Sequence, residues 1–467
     1  MNRVKNSLSR AFYHVSERLR GAKTVYRRIK SFLILIFVAL AIFMTGQLWF
    51  VHLSNRNFFL YLTARWNPSV AEGYRDFVRP MRSIYGDGTG RFHISYSGLM
   101  DPTPSDFFDM VMAELFDNGS FVSVNAVNYE VLLSRPLLMF QYAFDMPGAV
   151  FPLGFNQRSG AFLTNRGVTE FSSVAIWLPS GNQSGISIFF LGGGLAWEFT
   201  VDSAGLEGFP IHPVTTGSLY FVSAALEGYR DLYPGIFVPR SGDFGWFAYY
   251  PIIVTNPYLT HIGGPMSHIR NQVSHFFDNP ATIHAREAGD GVWTFSNIHT
   301  AVRYFETDVL EYASFRPRPR NATSSLIGDF SAALAFIDEV DDHVINEFFL
   351  KGFEPRGDGF VFWFGYIIDN FPILLPDGWS ASSRNDILPA PIEVVVEQEQ
   401  VVLYRRLAHN FQLYGANEWV RAEDLNLERL LDGQETPVSG MNLGYHIRPG
   451  MRQDDRLLLE WRLAEGE

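Results

Sequence analysis

Twelve histidines, 49 acids and no cysteine set the chemistry this chain of 467 residues can attempt. Without thiols there is no disulfide, thiolate metal site or cysteine nucleophile. The sequence holds no GxSxG elbow, no HExxH pair and no Walker loop, the arrangements that activate a serine, hold zinc or cradle a nucleotide. Gly192-Gly193-Gly194 follows an apolar run. A phosphate cradle needs a Lys-Ser/Thr pair or a helix N-terminus behind it, so these glycines read as a strand-end turn. His261, His268 and His275 recur every seven residues on a predicted helix over His261–Phe277. Metal stripes use i, i+4 spacing with an orienting carboxylate, so the spacing reads as a helix face. Asp338, Glu339, Asp341 and Asp342 lack the alternation and central glycine of a calcium loop and read as a solvated turn. Glu287, Glu306 and Glu311 read as solvent-facing alternates on strands. A glycosidase needs two carboxylates placed across a cleft, and the sequence names no such pair. The expectation is a chain that is not an enzyme, with no catalytic residues, no metal site and no cofactor.

The elements around these residues come from composition and pattern. Apolar residues make up 47% and aromatics 15%, enough for cores and suited to sheets. Charge is split along the chain. Residues 1–30 hold nine basic residues against one acid, Glu17, a net +8, which leaves −20 of the total −12 for residues 31–467. Such an acidic remainder excludes nucleic acid as a partner, because phosphate binding needs a basic surface. The run Phe32–Leu53 contains no Asp, Glu, Lys or Arg. Its 22 residues rise about 33 Å as a helix, the thickness of a bilayer core. Basic residues up to Lys30 precede it, so the positive-inside rule places the N-terminus in the cytoplasm and the rest outside. Lys30, Trp49 and Phe50 suit the membrane interface. The run is too long, and its end too bulky, for a cleaved signal peptide. Thr45, Gly46 and Gln47 are the small and polar groups with which this helix could meet another, although no GxxxG is present. Lack of cysteine agrees with a bacterial envelope protein.

The expected fold class is α+β: one N-terminal transmembrane helix (residues 31–53, after a cytoplasmic tail of residues 1–30), then a three-domain ectodomain. The first domain covers about 55–205. It has a helix that starts at Thr103-Pro104-Ser105-Asp106 and stops at Asn118-Gly119. Strands follow at Phe121–Val124, Leu138–Phe144, Val174–Leu178, Ile186–Leu191 and Leu195–Val201. The middle domain, 206–320, has the helix His261–Phe277 and a meander of four short strands ending at Phe315, then a Pro-Arg linker. The last, 321–467, has a helix over Leu326–Glu339 and strands at Ile345–Phe353, Gly359–Ile368, Phe371–Leu375, Ile392–Glu397 and Val401–Phe411. A helix over Ala422–Leu431 and two strands end it. A helix followed by an antiparallel β-meander thus occurs twice, which points to a structural duplication.

The stretches Asp290-Gly291-Val292-Trp293-Thr294-Phe295, Val302-Arg303-Tyr304-Phe305 and Asp308-Val309-Leu310-Glu311-Tyr312 resemble the middle domain of YycH-type proteins. Gly357-Asp358-Gly359-Phe360-Val361-Phe362, Phe371-Pro372-Ile373 and Pro391-Ile392-Glu393-Val394-Val395-Val396-Glu397 resemble the C-terminal domain of the YycH/YycI family. The resemblance spans about 260–465, with the topology of residues 1–55. It implies an accessory regulator of the two-component sensor histidine kinase that controls cell-wall metabolism in Gram-positive bacteria. Its partners would be that kinase, a paired YycI-like regulator and membrane lipid, with contact through the membrane helix. The family supplies no catalytic motif to carry over. The competing reading is an extracytoplasmic module that binds a cell-wall fragment, a peptide or a protease.

Overall fold

The computed structural model describes residues 80–465 except 96–101, 156–160, 179–184, 203–220, 224–235, 240–245, 257, 259–264, 288–291, 318–323, 341–346, 369–370, 376–387, 416–417, 422–437, 449–450, 452–454 and 458. The described residues are α+β and rich in antiparallel sheet. No helix among them is long and apolar enough to cross a membrane. The apolar run Phe32–Leu53 and the predicted helix Ala422–Leu431 lie outside the described residues.

The first sheet is built from β1 (Arg82–Asp87), β2 (Phe92–Ser95), β3 (Ser120–Ala126), β4 (Pro136–Pro147), β5 (Glu170–Trp177), β6 (Gly185–Gly192), β7 (Leu195–Asp202), β8 (Phe221–Ser223) and β9 (Phe237–Pro239). Its order is β3-β7-β6-β5-β4-β1-β2-β8-β9, with β3 and β9 at the edges. Helix α1 (Pro102–Asn118) buries Phe107, Phe108, Val111, Met112, Leu115 and Phe116. That is one stripe of a 3.6-residue period, laid on the sheet. Phe108 reaches Phe140 of β4 at 4.1 Å between ring centroids. Each fully buried phenylalanine contributes roughly 1.5–3 kcal/mol. Gly119 ends the helix by donating to Leu115 O at 2.9 Å. A Cβ there would lie 2.3 Å from that oxygen, so the stop signal is steric.

Downstream lie β10 (Trp246–Tyr249), β11 (Ile252–Thr255) and helix α2 (Pro265–Gln272). The helix expected to run to Phe277 ends at Gln272 and tightens into a 3-10 turn, Ser274–Phe276. There Val273, Phe276 and Phe277 are all buried, and the tighter turn lets three apolar side chains face inward within five residues.

The first meander is β12 (His284–Glu287), β13 (Trp293–Ser296), β14 (Thr300–Tyr304) and β15 (Val309–Ser314). Helix α3 (Leu326–Val340) then leads into β16 (Glu347–Arg356), β17 (Gly359–Ile368), β18 (Phe371–Leu374), β19 (Ile392–Glu397) and β20 (Gln400–Leu407). Gln398 and Glu399 turn β19 into β20 with φ of 54° and 60°, a conformation costly for non-glycine residues. Buried Asp329 of α3 holds it, accepting from Glu399 N at 2.7 Å and from the Ser324 hydroxyl.

With β23 (Val438–His446) and β25 (Leu459–Glu465), the two meanders form one sheet of eleven strands. Its path is β12-β13-β14-β15-β20-β19-β17-β18-β23-β25, with β16 on β17. The last strand of each meander, β15 and β20, meets the other antiparallel, and Tyr312 stands opposite Tyr404. Both helical segments cover the same face at that seam. Phe336 of α3 lies 4.9 Å from Tyr312 and 5.4 Å from Tyr404. Phe276 lies 5.6 Å from Tyr312. Strands on both sides of residue 320 therefore share one sheet, as strands on both sides of residue 205 share the first.

The expected strand Val401–Phe411 breaks at Ala408-His409 into β20 and β21 (Asn410–Leu413). Then come β22 (Glu418–Arg421), β23 (Val438–His446), β24 (Arg456–Leu457) and β25 (Leu459–Glu465). β21 leaves the large sheet to pair with β11, which also pairs with β24, and β22 pairs with β10.

Candidate functional site

Polar side chains concentrate where the two meanders are sewn together. Side chains alternate across a strand, so one face of the seam carries tyrosines and the other carries Arg303, Glu311, Arg405 and Glu393. The register sets Arg303 opposite Glu311, Glu311 opposite Arg405 and Arg405 opposite Glu393. Arg303 Nη1 lies 3.2 Å from Glu311 Oε1, and Arg405 Nε lies 3.0 Å from Glu311 Oε2. Arg405 Nη1 reaches Glu393 Oε1 at 3.5 Å, and Trp363 Nε1 donates to Glu393 Oε2 at 3.3 Å. The result is a row of alternating charge across four strands. The carboxylates are the covered members, with side chains 11% (Glu311) and 6% (Glu393) exposed. Directly opposed unlike charges stabilise a sheet by about 0.2–1 kcal/mol each. The reading of Glu311 as a solvent-facing alternate is thus corrected. It does face away from the aromatic core, but its two arginine partners cover it.

A second cluster closes the end of the same seam. Asp308, in the β14–β15 turn, has φ of +58°. Its carboxylate accepts from Tyr304 OH at 2.6 Å and from Asn256 Nδ2 at 2.8 Å. On its other oxygen it faces His409 Nε2 at 3.2 Å. Asn256 also reaches Tyr304 OH at 2.9 Å and accepts from Tyr258 N at 2.9 Å. The Asp308 carbonyl takes Ala408 N at 2.7 Å. Burial, reinforced by the Asp308 carboxylate, pushes the Tyr304 phenol far above its ordinary range. A phenol beside a carboxylate and an imidazole has the parts of a proton relay. Yet His409 is 2% exposed and Asn256 is buried, so no substrate reaches them in this arrangement. What the cluster does is fasten three distant segments: the hairpin turn, the bend between β20 and β21, and the strand end after β11.

No family model and no curated protein matches the chain. Among solved structures, the crystal structure of YycH from Bacillus subtilis is similar over 84% of this chain and 95% of its own, at 11% identity and a TM-score of 0.49. An uncharacterized protein from Eubacterium rectale is similar over 46% of this chain and 76% of its own, at 8% identity and a TM-score of 0.28. At these values no residue role passes from either protein to this chain.

The residues singled out for membrane and helix contact, Lys30, Thr45, Gly46, Gln47, Trp49 and Phe50, lie outside the described residues. Of the histidine stripe, His268 is on α2, His275 is in the 3-10 turn beside Phe276 and His261 is outside the described residues. His268 and His275 do not share one helix. Gly193 and Gly194 form the two-residue turn between β6 and β7, at φ of 54° and 76° with open space around each Cβ position, as the strand-end reading requires. Sequence reasoning missed Glu311 with Glu393, and Asp308 with His409, as two connected sets. The available signal was Arg405-Arg406 in an apolar run, since a strand burying arginine needs carboxylates on its neighbours.

Proposed function

We propose that this chain is a membrane-anchored, non-enzymatic regulator of a two-component sensor histidine kinase that controls cell-wall metabolism. The observation that carries this reading is the sequence of the N-terminal 53 residues. A tail of net +8 leads directly into 22 residues without a charge, and the remaining 414 of the 467 residues follow. That is the plan of a body tethered by one helix outside the cell. The YycH/YycI-like stretches between 290 and 397 supply the kinase as the regulated partner and a YycI-like chain as a companion. Physically, the outer body sets the position of its helix beside a kinase helix. A kinase with two states responds only if that helix contacts them differently. Thr45, Gly46 and Gln47 are where small and polar side chains permit close approach.

The test replaces Phe32–Leu53 by an unrelated apolar helix of equal length and reads transcription from a kinase-controlled promoter in cells. Output is expected to shift toward that of the deletion strain, and leucine at Thr45, Gly46 and Gln47 is expected to reproduce part of the shift. Normal output from the swapped chain, correctly inserted, would refute helix contact. Full activity from residues 55–467 secreted free would favour the binding-module reading instead.

A further inference from the structure

Among the described residues, the first sheet and the large sheet meet chiefly where β4 lies against β16. Each strand carries a bulge there. The β4 ladder slips between Gln141 and Met146, and the β16 ladder between Leu350 and Gly352. A bulge bends its strand and re-aims a side chain. Phe144, inside the first bulge, meets Phe353 edge to face with ring centroids 5.7 Å apart. Beside it Gly352 presents bare backbone, and a Cβ built there would lie 3.9 Å from the Phe144 Cβ. Both rings are only partly buried, so water already reaches the contact.

The chain that joins the two sheets is held unequally along its length. Its far end is fixed. Ile252 and Val254 of β11 are buried, and β11 is paired on both sides, with β21 and β24. Just before it, Tyr250 O accepts from Tyr445 OH and Pro251 O accepts from Tyr414 N, both at 2.8 Å. Between Pro239 and that anchor the described element is β10, whose partner is β22 in a sheet of two strands. Two strands by themselves are marginally stable in water. A small contact between two bodies, with a weakly paired connector, makes relative motion the default.

We propose that the first sheet swings against the large sheet. In one position Phe144 seats on Gly352 and Phe353; in the other it leaves them, and β10 parts from β22. The use of this motion rests on the regulator reading: it is the two-state element that a helix-positioning body needs, with the unseated form at about 0.1–10%.

Because the chain has no cysteine, Phe144→Cys with Gly352→Cys offers a single disulfide. The 3.9 Å between the Cβ positions lies inside the spacing a disulfide adopts, about 3.5–4.5 Å. Hydrogen exchange is measured on the full-length chain in detergent, since local opening is what exchange reads. The disulfide is expected to form, and the amides of Trp246–Tyr249 to exchange about ten-fold slower oxidised than reduced. In Phe144→Ala they should exchange about ten-fold faster than in the native chain, the weight of one aromatic contact. Ile188 of β6 and Phe362 of β17 should keep native rates in every form. The proposal is overturned if no disulfide forms, or if oxidation and Phe144→Ala leave Trp246–Tyr249 unchanged. Changes that spread equally to Ile188 and Phe362 are unfolding, not a swing, and overturn it as well. Kinase output that ignores oxidation while β10 exchange follows it would sink the regulator reading and leave the swing standing.

Discussion

Glutamine at position 311 tests whether the charged row across the seam holds the two meanders together. The Glu311 carboxylate receives Arg405 Nε at 3.0 Å and Arg303 Nη1 at 3.2 Å. Arg303 is half-exposed, so water replaces its lost partner and the cost there is about 0–1 kcal/mol. Arg405 is 16% exposed, and a hydrogen bond to a charged group in such a place contributes about 1.5–3 kcal/mol. The full penalty of orphaning a buried charge, about 3–5 kcal/mol, does not apply because Arg405 retains Glu393 at 3.5 Å. Glu311→Gln should therefore destabilise the chain by about 1.5–4 kcal/mol, the sum of those two terms. In a chain of 467 residues, with an unfolding entropy of about 2.1 cal/mol/K per residue, that corresponds to a Tm lowered by about 1.5–4 °C. Thermal and urea unfolding would measure it, with Glu306→Gln, an exposed turn position, as control. In a double-mutant cycle, Arg405→Gln made alone and with Glu311→Gln should show coupling above about 0.5 kcal/mol. A Glu311→Gln variant within about 0.5 kcal/mol of the control would refute the reasoning that this row is structural.

Three further outcomes follow from buried and half-buried groups. Tyr304→Phe removes one donor to Asp308 and should cost about 1–1.5 kcal/mol. Asp308→Ala should cost more, since it also places alanine at positive φ, and faster hydrogen exchange at the Ala408 amide would locate the loss at the β20–β21 bend. Burial lowers the His93 pKa against a smaller opposing effect of Asp87. The folded state therefore resists protonation there, and the unfolded chain binds more protons below about pH 6.5. The contribution is complete above that pH and is lost as pH falls toward the depressed value. His93→Gln should flatten the fall in Tm between pH 7.5 and 5, and a parallel fall in both proteins would show that His93 does not contribute.

Local signals were legible wherever one element decides its own fate. The stripe Phe107–Phe116 and the Asn118-Gly119 stop gave α1, because a helix face and a steric terminator are contained in the thirteen residues from Phe107 to Gly119. The strands β4 to β7 and the Gly193-Gly194 turn were legible from alternation and from backbone freedom. The helix-plus-meander plan of residues 265–315 and 326–407 was likewise visible, since hairpin turns such as Gly357-Asp358 punctuate it. Residue spacing could not show that β15 pairs with β20. Nothing in Val309–Ser314 or Gln400–Leu407 names a partner about ninety residues away, and a strand edge accepts any complementary strand. That pairing decided that Glu311 is covered rather than solvated, that the run Val401–Phe411 bends at His409, and that Asp308 adopts a left-handed turn. Sequence alone determined the charge split, the apolar run and the periodic elements, which depend on neighbours along the chain. Tertiary structure decided which charges are buried and which edge is open, because burial is a property of what packs across space.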